Sequence, residues 1–149
     1  FDTFEGFPDI VPQDSGDDSH NKEGGMKVDG YGELLDCIKL YDMNRAIGHV
    51  PKVQLVKGDA NETIPQFINE NPHLVVSLLY MDFDIYKPTM TALQHFVPRI
   101  PKGGVIAFDE LNHQGWPGET IAVMEELGLN NLKLKRVPFD TTRSYAVIE

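Results

Sequence analysis

Ser77-Leu78-Leu79-Tyr80-Met81-Asp82-Phe83-Asp84 and Gly103-Gly104-Val105-Ile106-Ala107-Phe108-Asp109-Glu110 decide how this chain folds. Each is a short apolar run that ends in carboxylates. Runs of this length, bounded by turn residues, read as buried parallel strands. In an open α/β sheet, ligands bind outside the carboxyl ends of the strands. Two neighbouring strands that bring Asp82, Asp109 and Glu110 to one rim would supply all-oxygen donors for a hard cation such as Mg²⁺.

Outward from these runs, strands and helices alternate. Residues 33–45 place Leu34, Ile38 and Tyr41 on one helical face. Val53-Gln54-Leu55-Val56 reads as a strand ending at Lys57-Gly58-Asp59. Thr63 and Gln66 have capping-box spacing before a helix with Ile64, Phe67 and Ile68 as its apolar face. The strand through Met81 is expected over 74–81. Pro88 suits the first turn of the next helix, whose stripe is Met90, Leu93 and Val97. A further helix over 119–127 is expected to bury Ile121, Met124 and Leu127, with Gly128 as its C-cap. Residues 132–137 and 144–148 form a closing antiparallel hairpin. The expected fold is α/β: a mostly parallel Rossmann-like sheet with helices on both faces and a C-terminal antiparallel hairpin. That hairpin is a common ending for S-adenosylmethionine-dependent methyltransferases.

Composition narrows the class. The chain has 149 residues, a formal net charge of −10 and a pI near 4.8. Such a charge argues against bare nucleic acid or an anionic membrane as the main partner. No apolar stretch approaches the roughly 20 residues of a membrane span, and no signal peptide is visible. The lone Cys37 excludes an internal disulfide and fits a reducing compartment, hence the cytoplasm. Residues 5–30 are acidic and broken by Pro and Gly, so they read as a flexible loop, either a lid or simply solvated.

Four segments resemble the macrocin O-methyltransferase family, in order: Phe1-Asp2-Thr3-Phe4-Glu5-Gly6-Phe7-Pro8; Val56-Lys57-Gly58-Asp59 with Thr63-Ile64-Pro65; Met81-Asp82-Phe83-Asp84-Ile85-Tyr86-Lys87-Pro88-Thr89; and Pro101-Lys102-Gly103 through Asp109-Glu110. The family methylates sugar hydroxyls in natural-product pathways. The resemblance implies S-adenosylmethionine and Mg²⁺ as cofactors and a small sugar-like acceptor. It places Asp2, Phe4, Asp59 and Asp82 on the cofactor side, with Asp2 at the ribose and Asp59 near the adenine. Asp82, Asp109 and Glu110 match the family's metal positions. Its first strand and glycine-rich loop should precede residue 1. The expectation is therefore one truncated methyltransferase domain over residues 1–149, or a gap that another chain covers. A related enzyme of the cephalosporin-hydroxylase-like branch and a non-catalytic interaction domain stay open as rivals. So does a homo-oligomer.

A sugar hydroxyl is a poor nucleophile near neutral pH, so transfer needs a base or a cation beside it. Asp82 and His113 are the candidate catalytic bases. Asp84 and Tyr86 are expected to shape the loop or touch substrate. Trp116 offers either a stacking surface or packing.

Overall fold

The computed structural model describes residues 1–149 and turns the two apolar runs into neighbouring strands. The elements are α1 (Tyr31–Met43), α2 (Ala60–Glu70), β1 (Leu78–Met81), α3 (Tyr86–Phe96), β2 (Val105–Phe108), α4 (Pro117–Glu126), β3 (Lys135–Arg136) and β4 (Ser144–Val147). The sheet order is β1-β2-β4-β3. β1 and β2 are parallel, with Met81 opposite Phe108, and β4 runs antiparallel to both β2 and β3. The α/β class and the closing hairpin are as the sequence implied, and within these four strands the one parallel pairing is β1 with β2.

Period-two alternation decides where the core lies. Met81, Ile106, Phe108 and Ala146 face inward and are almost fully buried. They meet Ile64 and Ile68 of α2, Ala92, Leu93 and Phe96 of α3, and Ala122 and Val123 of α4. Each large apolar side chain buried this way contributes about 1.5–3 kcal/mol. Along the same strands Leu78, Tyr80 and Val147 remain exposed. Helices were expected on both faces; α2, α3 and α4 share one, and α1 buries no residue. Its Leu34 and Tyr41, expected to form a buried stripe, stand 44% and 55% exposed.

Several boundaries move, each for a hydrogen-bonding or packing reason. Residues 53–56 form no strand, because only Asp2 pairs there: Asp2 N donates to Val56 O at 3.1 Å, and Gly58 N to Asp2 O at 2.9 Å. β1 begins at Leu78 rather than Leu74, since Val76 N turns away to Arg99 O. The cap of α2 is Asp59, not Thr63: Asp59 Oδ1 accepts from Asn61 N at 2.9 Å. The buried face of α4 is Gly118, Glu119, Ala122 and Val123, while Met124 is exposed. A buried glutamate reverses the polarity that hydropathy assigns to that face. Gly128 takes φ +72° and ends α4 as expected, its N–H donating to Val123 O. Residues 5–30 hold a single short 3-10 turn, Pro12–Asp14.

Candidate functional site

The parallel register sets the acidic rim. Because Met81 pairs with Phe108, Asp82 and Asp109 leave adjacent strands side by side, and Asp109 N donates to Met81 O at 3.1 Å. Asp82 opens to solvent on one side. The protein around its other sides raises its carboxyl above the ordinary value; Asp109's charge adds to this and Arg143 opposes it. Asp84 adopts φ +61°, an uncommon conformation for a side chain, and burial among Asp82, Glu110 and Asp109 pushes it up to about 7.

Asp109 is only 7% exposed and already has a counter-charge. Arg143 Nε stands 2.7 Å from its Oδ1, and the Tyr80 hydroxyl donates to the same oxygen. Arg143 is in turn held by Asp140, whose Oδ2 accepts from Nη1 at 2.7 Å. Glu110 lies beside Asp109 and also faces His113: its Oε2 is 3.4 Å from His113 Nδ1, a loose contact, and its N–H donates to Glu119 Oε1 at 2.9 Å. Glu119 is completely buried, its Oε2 has no partner, and burial raises its carboxyl to about 8.

The expected Mg²⁺ ligands share one rim but do not close on a common point. No three acidic, histidine or cysteine side chains are grouped to hold a metal ion. Asp109 is neutralised by Arg143, and Glu110 is shared between Asp109 and a loose contact to His113. The donor chemistry suits Mg²⁺; this arrangement of the donors does not fit it.

Three of the four residues expected on the cofactor side do converge. Asp2, Asp59 and Asp82 come from three separate segments and open onto one cavity of about 240 Å³. Asp2 and Asp82 also border a larger apolar cavity of about 580 Å³ along β1. Asp2 is fixed by its own turn: Oδ1 accepts from Phe4 N at 2.6 Å, which leaves Oδ2 uncommitted. Phe4 itself sits at φ +58°, edge-on to Tyr31, in a third cavity of about 410 Å³ shared with Asp2 and Cys37. His113 lines none of these cavities. Trp116 is 6% exposed and packs edge-on against Phe7, so it is a packing residue rather than a stacking surface. Sequence reasoning passed over Arg143, Tyr80 and Glu119. The turn Asp140-Thr141-Thr142-Arg143, with Asp140 accepting from Thr142 N and Arg143 N, was the one local signal available for Arg143.

The family model described as macrocin-O-methyltransferase (TylF) matches residues 1–131. The chain belongs to the macrocin O-methyltransferase family. Among solved structures, this family member is similar to CalS11, a calicheamicin methyltransferase, at 36% identity and TM-score 0.91, over 97% of this chain and 57% of that one. An apo structure of CalS11, described as a TDP-rhamnose 3′-O-methyltransferase of calicheamicin biosynthesis, matches at 33% identity and TM-score 0.78, over 98% and 56%. The O-methyltransferase NovP shares the fold at 21% identity and TM-score 0.68, over 98% and 57%. The chain thus spans a little over half the length of the structures it matches. No curated protein sequence matches. No helix is long and apolar enough to cross a membrane.

Proposed function

We propose that this chain carries much of the site of an S-adenosylmethionine-dependent O-methyltransferase acting on a hydroxyl of a sugar or other small polar molecule. The observation that carries this reading is the convergence of Asp2, Asp59 and Asp82 on one cavity at the sheet's carboxyl rim. Family membership and the likeness to CalS11 support it. A site in the cytoplasm agrees with the single free thiol of Cys37.

S-adenosylmethionine, when bound, supplies an electrophilic methyl on a sulfonium. The Oδ2 of Asp2, left free by its own turn, would accept hydrogen bonds from ribose hydroxyls, a role for which an acceptor-only group is suited. Asp59, held by Asn61 at the start of α2, would border the adenine end. Asp82 would receive the acceptor hydroxyl and take its proton, while the bound cofactor would supply the methyl and leave as the neutral thioether. A carboxyl raised by its surroundings is a better base than an ordinary one. Asp82 is preferred to His113 because Asp82 lines the cavity and His113 does not.

Calorimetry on the full protein with S-adenosylhomocysteine tests the reading. Binding by wild type, abolished in Asp2→Ala, is the expected result. Absence of binding by wild type would overturn it.

A further inference from the structure

The start of α3 follows directly on Asp82-Phe83-Asp84, so whatever fixes that helix end also fixes the site. Its own N-cap, Ile85, has no side-chain acceptor. The first turn of a helix leaves N–H groups without partners and favours negative charge. Asp14 supplies both from 72 residues earlier: Oδ1 accepts from Tyr86 N at 2.6 Å, and Oδ2 accepts from Val11 N at 3.0 Å. Asp14 is 2% exposed inside a segment that otherwise carries its acids at the surface.

Two glycines make room for this contact. A Cβ at Gly118, on the first turn of α4, would run into Asp14 Oδ1, and one at Gly16 would run into Gly115 O. Around Asp14 the segment is tied at further points. Asn21 Nδ2 donates to Asp14 O and, at 3.4 Å, to Gly115 O. Asp9 pairs with Lys87 of α3. Phe7 stacks edge-on against Trp116 with ring centroids 5.5 Å apart. Gly6, Phe7 and Pro8 then form one wall of the 240 Å³ cavity, facing Asp82, Asp84 and Pro88.

We propose that Asp14 is a positioning residue: it seats segment 5–30 against the start of α3, and the cavity carrying Asp82 is complete only while the segment is seated. Asp14 touches no reacting group and acts through Tyr86 and the wall residues. Loss of Asp14 lowers the seated fraction. A ligand that needs the seated form then binds with an apparent affinity reduced by that fraction, while a saturating ligand restores it. Irreversible loss of folded molecules would instead lower stoichiometry and leave affinity unchanged, and reversible global unfolding would speed cleavage at every site rather than at this segment alone.

The inference rests on the reading of this cavity as the cofactor site, and the test separates the two. In the full protein, trypsin cleavage after Lys22 and Lys27, located by mass, reports unseating without reference to any ligand, because cleavage requires local opening. Asp14→Ala is expected to speed cleavage at these two sites about tenfold, with other sites unaffected. Calorimetry with S-adenosylhomocysteine should show affinity weakened about tenfold at unchanged stoichiometry. Asp14→Asn, which keeps one carbonyl oxygen but loses the second acceptor that serves Tyr86 N and Val11 N together, should shift both readouts the same way and stands in if Asp14→Ala does not fold. Unchanged cleavage in both variants overturns the proposal, as does reduced stoichiometry at unchanged affinity. If wild type binds no S-adenosylhomocysteine, the cofactor reading fails, and the cleavage rates alone still decide whether Asp14 seats the segment.

Discussion

Arg143 Nε lies 2.7 Å from Asp109 Oδ1, so the most buried carboxylate of the acidic rim is neutralised from within the chain. A divalent cation at Asp109 would have to displace this guanidinium. Arg143→Gln removes the competing charge. Millimolar Mg²⁺ is then expected to raise the melting temperature of Arg143→Gln more than that of wild type, read by scanning fluorimetry. Equal shifts would show that Arg143 does not compete for Asp109.

Glu119 links stability to pH. Its carboxyl is raised to about 8 when folded, against about 4.3 in an unfolded chain. Between those values the folded state holds the extra proton. The stabilisation is complete below the unfolded value and is lost as pH rises through 8. Urea unfolding of wild type should therefore show stability falling from pH 5 toward pH 8, over and above other groups. Glu119→Gln should flatten that limb, and an unaltered slope would refute the assignment.

Asp59 combines two roles that substitution can separate. It caps α2 through Asn61 N, and it borders the cavity. Asp59→Ala should cost about 1 kcal/mol of stability. Asp59→Asn keeps an oxygen acceptor for the cap and should leave the melting temperature near wild type. If Asp59 also contacts the cofactor, both variants weaken S-adenosylhomocysteine binding by calorimetry. A weakening confined to Asp59→Ala would reduce its role to the cap.

Asp82 and His113 compete for the role of base. Asp82→Asn is expected to lower kcat by about 10²–10⁴-fold, the span of general-base contributions. His113→Ala, which alters no cavity wall, should leave kcat close to wild type. The reverse ranking, measured in initial rates on the full protein, would transfer the role to His113 with Glu110 as its partner.

Ile106 is fully buried where β2 meets the helices. Ile106→Ala should cost about 2–5 kcal/mol in chemical denaturation, from lost transfer energy and the cavity left behind. A loss below 1 kcal/mol would mean that β2 is less central than its burial indicates.

The elements legible in the sequence were those whose signals are local. Apolar runs gave β1 and β2, Pro88 marked the first turn of α3, and Gly128 closed α4. What escaped depends on partners distant in sequence. Residues 53–56 look like a strand, but strand formation needs a neighbour to hydrogen-bond with, and only Asp2 pairs there. Asp14 was one acid among several in a broken segment; its role depends on an amide 72 residues away. The acidic rim was legible as a group. Its internal pairing was not, because Asp109 meets Arg143 only after the hairpin folds back onto β2. Thr63 illustrates a competition within the local signal: both Asp59 and Thr63 can cap, and the chain is extended at Asp59, with φ −62° and ψ 122°, as a cap residue requires.

Cys37 stands exposed on α1 and shares the Phe4 cavity with Asp2. Its thiol is thus an attachment point for a fluorophore in this chain. A dye placed there would look directly into the chamber beside Asp2. It would turn occupancy of that chamber into an optical signal, with no need to know the methyl acceptor.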